Sequence, residues 1–142
     1  MATLVAPPSD PCVSELLRSS RTIAVVGLSG DAQRPSHGVA AYLQRQGYRI
    51  LPVNPKLAGQ RVLGELCVAT LEDLLEPVDI VDVFRRSEDV LPVAQAAVAI
   101  GARCLWQQSG VANTQADELA RAAGLVSVMD RCLKVEHARL LR

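Results

Sequence analysis

Aromatic residues make up only 3% of the 142-residue chain, one Phe, two Tyr and one Trp among them. That is too few to build the stacking platform on which single-stranded nucleic acid is held. A charge excess is missing too: fifteen basic side chains face fifteen acidic ones, so the net positive field of a non-specific nucleic-acid binder is not expected. No apolar run approaches the ~20 residues that cross a bilayer, and the first residues, MATLVAPPSDPC, lack the basic start and long apolar stretch of a signal peptide. A soluble, cytoplasmic protein is the expectation. Only two histidines are present, and Cys12, Cys67, Cys104 and Cys132 stand far apart with no C-x-x-C pair. No metal site is expected, and the thiols read as separate and reduced. No G-x-x-x-x-G-K-[ST] loop occurs, which argues against nucleotide hydrolysis by that device.

What is present is a regular alternation. Residues 1–13 hold three prolines and read as an extended arm before a short helix over residues 13–20. The run T-I-A-V-V-G-L at Thr22–Leu28 is β-branched and apolar throughout, the pattern of a strand buried on both faces. Ser36 is the expected cap of a helix that ends at Gly47, and Tyr48–Val53 is the next strand. Asn54-Pro55 opens a loop through Gly59 and Gly64. Thr70 and Asp73 form a shortened capping box around Leu71–Leu75. Val78–Phe84, Arg103–Trp106 and Leu125–Met129 read as further strands. Ser87 is expected to cap the helix carrying Val90 and Ala94; Asn113–Ala123 is another helix, and Asp130 or Arg131 begins a terminal one. This order predicts an α/β fold, a Rossmann-like doubly wound sheet of about five parallel strands with helices on both faces. Residues 1–20 form an arm and short helix, and residues 21–142 one domain.

In such a sheet the ligand sits beyond the carboxyl ends of the strands. After the first strand, Gly27 allows a tight turn, Ser29 and Ser36 offer hydroxyls, and Arg34 sets a planar cation beside the first amides of a helix. The loop reads equally as a phosphate cradle or as ordinary turn and cap chemistry. It departs from G-x-G-x-x-G, with Ser29 and Ala32 where glycines would stand. The second strand ends in Asn54, Pro55 and Lys56 rather than in the acid that holds a ribose diol. A phosphorylated adenine nucleotide fits this pair of loops better than NAD does. Phe84-Arg85-Arg86-Ser87 follows the third strand; Arg86 reads as a solvated helix entry, while Arg85 divides evenly between that role and the ligand. Trp106 reads as core. Arg131 and Cys132 come at the ligand-side start of the last helix, Cys132 as either a reactive thiol or a small buried residue. His37 is expected at a ligand-side helix start and His137 on the surface. Neither forms a catalytic arrangement with a nucleophile.

Taken together, the motifs R-P-S, P-V-N-P, F-R-R-S, W-Q-Q-x-G and M-D-R-C, in this order along AVVGLSGDAQRPSHGVA, GYRILPVNPK, VDIVDVFRRS, GARCLWQQSG and GLVSVMDRC, resemble the small stand-alone CoA-binding proteins. Their domain is similar to the CoA-binding domain of the succinyl-CoA synthetase α subunit. The resemblance implies non-covalent binding of coenzyme A or an acyl-CoA, with no established catalysis. It implies that Gly27, Ser29, Arg34 and Ser36, with Pro35 among them, lie on the pyrophosphate side. Asn54, Pro55 and Lys56 would flank the adenosine end, Phe84 and Arg85 would line the same groove, and Gln107 and Gly110 would approach the pantetheine arm, near Arg131 and Cys132. The synthetase's phosphohistidine chemistry belongs to a further domain and is not carried over. The competing class is a small nucleotide-dependent enzyme, an oxidoreductase or an acyl or CoA transferase, working through His37 or Cys132. A homodimer is compatible with the alternating surface but is not implied by it.

Overall fold

The structure, a computed structural model, describes residues 6–141. The expected N-terminal arm lies partly outside them, and the described part turns helical early: α1 spans Asp10–Ser19, because Ser9 caps it through the Cys12 amide at 3.3 Å and Pro11 sits in the first turn. A proline there loses nothing, since a first-turn amide has no intrahelical acceptor. Val13, Leu16 and Leu17 form the buried stripe of α1.

β1 (Thr22–Val26), α2 (Pro35–Arg45) and β2 (Arg49–Val53) follow. A small antiparallel hairpin comes next, β3 (Arg61–Val62) with β4 (Glu65–Leu66), where the sequence suggests only loop. Its two turn residues, Leu63 and Gly64, both have positive φ, at 53° and 80°, as a type I′ turn requires. A leucine is an unusual first turn residue, and the signal is missed for that reason. Then come β5 (Ile80–Val83), α3 (Val90–Ala99), β6 (Cys104–Gln107), α4 (Thr114–Ala122), β7 (Val126–Val128) and α5 (Leu133–Leu141).

The five main strands pair in parallel in the order β2-β1-β5-β6-β7. Ile23, Val25, Ile80, Cys104 and Trp106 face a core completed by side chains of α1, α2 and α5; Ala24, Val26, Val81, Val83 and Leu105 face a second core with α3 and α4. The expected Rossmann-like, doubly wound α/β fold is therefore the observed one.

Three further helix starts differ from expectation. Arg34, not Ser36, is the N-cap of α2, and Pro35 takes the first helical position. Ser36 turns inward instead and its Oγ accepts the Ser29 amide at 3.0 Å. Ser87 opens a 3-10 turn ahead of α3 rather than capping it, and its Oγ accepts the Ala112 amide at 3.0 Å. Asp130 has a φ of 56°, a left-handed geometry outside a right-handed helix, and α5 begins at Leu133 rather than at Asp130 or Arg131. The capping box is found: the Asp73 carboxylate accepts from the Thr70 amide at 3.1 Å and from its hydroxyl at 2.9 Å.

Candidate functional site

Strand order reverses between β1 and β5, since the chain leaves β1 toward β2 on one side and returns to β5 on the other. Loops after two such strands diverge and leave a crevice between them. Gly27 begins the first loop with a φ of 88°, and a Cβ there would collide with the Phe84 carbonyl oxygen. Its amide donates to the Val53 carbonyl at 2.8 Å, and the Phe84 amide donates to the Val26 carbonyl at 2.8 Å. These bonds draw the ends of β1, β2 and β5 together.

Beyond Gly27 the loop is ordered by its own side chains. Ser29 Oγ accepts the Asp31 amide at 3.0 Å and Asp31 Oδ1 accepts the Gln33 amide at 2.9 Å. The result is an open groove of about 330 Å³ lined by Gly27, Ser29, Arg34, Pro35, Ser36 and Phe84. Pro35 brings no N–H and the His37 and Gly38 amides donate to the Arg34 carbonyl at 3.1 and 3.3 Å, so the Ser36 amide, the α2 N-terminus and the exposed Arg34 side chain are what the groove offers an anion.

A second cavity of about 280 Å³ lies on the other side of β1, lined mainly by apolar groups, among them Val26, Val53, Pro55, Leu71 and Val93, with Arg85 on its wall. Asn54 joins the two regions: Nδ2 donates to the Leu28 carbonyl at 3.1 Å and Oδ1 accepts the Lys56 amide at 3.0 Å. Lys56 stands exposed on the turn that follows.

Among the described residues, Arg49, Arg86, Arg103, Arg121 and Arg139 each have an acidic partner, whereas Arg34, Lys56, Arg85 and Arg131 form no ion pair, in common with Arg18, Arg21, Arg45, Arg61 and Lys134 elsewhere in the chain. Arg86 reaches Asp89 at 3.1 Å and Glu88 at 3.5 Å, the helix-entry role expected of it.

Gln107, Gly110, Arg131 and Cys132 cluster at the ends of β6 and β7, apart from the linings of both cavities. Gln107 is fully buried, and its amide is committed to Asn113, accepting from the backbone N–H at 2.7 Å and donating to the carbonyl at 3.2 Å. Gly110 is exposed and its amide donates to Asp130 Oδ1 at 2.7 Å. Arg131 donates its amide to the Gln107 carbonyl at 3.3 Å and accepts Trp106 Nε1–H at 2.8 Å. Cys132 is half-buried against the core, and its carbonyl accepts the Glu136 amide at 3.0 Å, opening α5. Trp106 is fully buried, in the core role expected.

The histidines separate. His37 is half-buried in the first turn of α2. His137 is not on the surface as expected: it is 6% exposed, its Nδ1 lies 3.0 Å from the Tyr42 hydroxyl, and its ring packs edge-on to Tyr42 and Tyr48. Burial pushes its pKa below the ordinary value. Its spacing from Leu133 and Leu141, four residues each way, was the signal for an inward position.

Sequence reasoning also passes over Asp82, which sits in mid-strand in β5 with no exposure. Its Oδ1 accepts from Gln108 Nε2 at 2.6 Å, while Oδ2 has no hydrogen-bond partner. Burial pushes this carboxyl up to about 7, against the opposing pull of the Gln108 bond. Among the described residues no cluster of three metal-ligating side chains exists, and no helix is long and apolar enough to cross a membrane.

Residues 21–138 match a family model described as a CoA binding domain. The Bacillus subtilis protein YneT is 41% identical over 131 residues, covering 92% of this chain and 96% of the relative. The Thermus thermophilus protein ID.343 superposes with a TM-score of 0.90 at 43% identity, over 94% of this chain and 99% of the other. The same fold recurs inside the dinucleotide-forming acetyl-coenzyme A synthetase 1 of Candidatus Korarchaeum cryptofilum, with a TM-score of 0.67 at 22% identity, over 80% of this chain and 27% of that one.

Proposed function

The chain belongs to the CoA binding domain family, and from that premise we propose that it holds coenzyme A or an acyl-CoA non-covalently at the carboxyl edge of its sheet and does not turn it over. The observation that carries this reading is the donor-lined groove at the reversal of strand order, walled by Gly27, Ser29, Arg34, Pro35, Ser36 and Phe84.

In this reading the pyrophosphate lies along the groove. Arg34 contacts it as a fork, and the Ser36 amide at the N-terminus of α2 completes the cradle. The apolar cavity bounded by Val53, Pro55 and Val93 receives the flat adenine. Lys56 and Arg85, free of ion pairs, meet the phosphate on the ribose, which distinguishes CoA from its dephosphorylated form and from NAD. The pantetheine arm runs toward the loop after β6. There Gly110 offers an exposed backbone, and Arg131 and Cys132 stand at the far end. Gln107 acts one step back: its amide holds the Asn113 backbone and so shapes that loop.

Isothermal titration with CoA, dephospho-CoA and NADP tests the proposal. CoA should bind tightest, with loss of the ribose phosphate weakening it about tenfold or more, the worth of one charge-assisted contact. Equal binding of CoA and NADP, or indifference to the ribose phosphate, would overturn it. Incubation of CoA or acetyl-CoA with the protein should return them unchanged by mass.

A further inference from the structure

Alternation along β5 turns Ile80 and Asp82 toward α1, α2 and α5, and Val81 and Val83 toward the opposite core. In register, Asp82 lies between Val25 of β1 and Trp106 of β6. Two residues further on, the same two strands at the reversal of order end in Gly27 and Phe84, which wall the groove. With a rise of about 3.3 Å per residue, the Asp82 backbone lies about 7 Å beneath that mouth.

The carboxyl is fully enclosed, with one oxygen on Gln108 Nε2 and the other without a partner. Gln108 is itself 3% exposed; its backbone amide donates to the Val83 carbonyl at 3.3 Å and its carbonyl accepts the Val111 amide at 2.8 Å. The pair therefore ties mid-sheet to the turn that carries Gly110. Among the described residues no cation compensates the buried acid: burial raises its pKa and only the Gln108 bond opposes the rise.

The other ionisable groups on this side are few. Cys104 of β6 has its thiol pushed up, first by burial and then by the Asp82 charge, with Cys12 of α1 adding a smaller part. Tyr42 of α2 and His137 of α5 bond each other. Arg34 lines the groove itself, His37 is half-buried in the first turn of α2, and Arg131 before α5 lies apart from the groove lining.

An ionised carboxylate under a bound pyrophosphate would repel it through a medium that screens poorly. Resting on the CoA-binding reading above, we infer that Asp82 is the proton-linked positioning residue of the groove: it carries a proton while an anionic ligand sits above it, and its ionisation weakens the ligand's hold. Binding then takes one proton from solvent onto Asp82 when it begins ionised, and by linkage the ligand raises Asp82's proton affinity by the factor that ionisation lowers the ligand's.

Dephospho-CoA is the probe, because its pyrophosphate diester lacks the phosphate monoester that titrates near about pH 6. Wild-type affinity should fall about tenfold from about pH 6 to about pH 8.5, the consequence of a one-unit ligand-induced shift. Calorimetry in two buffers of unlike ionisation enthalpy should register proton uptake near neutrality. Asp82→Asn keeps an oxygen for Gln108 and should bind with a flat profile and no uptake, whereas His37→Gln should retain the uptake. A flat wild-type profile, or the same uptake in Asp82→Asn, would overturn the inference while leaving CoA binding intact. Failure of CoA itself to bind at any pH removes the parent reading, and this one with it. Should Asp82→Asn not fold, infrared difference spectra of the wild type decide: dephospho-CoA should raise a protonated-carboxyl band near neutral pH, and its absence overturns the proposal.

Discussion

Arg34 is the residue on which the groove's charge rests. It is exposed, has no acidic partner among the described residues and caps α2 with its backbone alone. Arg34→Ala should therefore leave the melting temperature nearly unchanged and weaken CoA by about 1.5–3 kcal/mol, the range for a charge-assisted hydrogen bond. Calorimetric titration beside thermal melting checks both halves. Arg34→Lys should recover only part of the loss, because a point charge cannot grip two oxygens as a fork does. Gly27 behaves in the opposite way. Its φ of 88° and the Phe84 carbonyl behind it leave no room for a methyl group, so Gly27→Ala should destabilise the fold by about 1–3 kcal/mol as well as deform the groove. Denaturant melts should show the change. Both residues stand in a loop whose glycine, serines and arginine are legible from composition alone. Asp82 is not, because an acid inside the run V-D-I-V-D-V-F is outvoted by its β-branched neighbours, and burial becomes visible only when the strand is placed mid-sheet.

Among the elements, α4 and the loop before it show how the site's far end is held. Asn113 Oδ1 accepts the Ala116 amide at 2.9 Å as N-cap, its Nδ2 donates to the Ser87 carbonyl at 2.8 Å, and its backbone is gripped by Gln107. Asn113→Ala removes the cap and the link to Ser87 together. It should cost about 1–2 kcal/mol of stability, measurable by denaturant titration, and hydrogen exchange should speed up at Ala112 and Ala116. Strands and their order of alternation could be read from β-branched runs ended by glycine, since a buried parallel strand has no polar face to confuse the pattern. The caps were less legible. Ser36 and Ser87 are good capping residues by type, but tertiary bonds to Ser29 and Ala112 claim their hydroxyls. For His137 the four-residue spacing from Leu133 and Leu141 gives the inward face, but its partners appear only once α5 packs against Tyr42 of α2 and Tyr48 just before β2.

For the whole molecule, two buried groups of opposite habit shape the pH dependence of stability. Asp82 is raised from 3.8 to about 7 by burial. The unfolded chain gives up that proton at the ordinary value, so the stability tied to it is full below about pH 4 and is lost as the pH climbs through about 7. His137 is lowered by burial, so its contribution is present above the ordinary value and is lost as the pH falls through its folded pKa. Thermal melts should accordingly show the Asp82 loss between about pH 4 and about pH 7, with the His137 contribution changing in the opposite direction within the same window. Asp82→Asn should remove the Asp82 decline, recovering roughly 4 kcal/mol at most at pH 8. A decline unchanged in Asp82→Asn would show that the carboxyl ionises freely in the folded protein.

The indole of Trp106 offers an optical consequence. It is the chain's one tryptophan, sealed in the core, with its N–H held by the Arg131 carbonyl at 2.8 Å. Its emission therefore reports on the peptide joining β7 to α5 without any added label. At a pH well below 7, where Asp82 beside it in register stays protonated with or without ligand, a ligand reaching that junction should shift the emission band or its lifetime, while one confined to the Arg34 groove should leave both unaltered, so fluorescence can tell how far along the sheet edge a bound molecule extends.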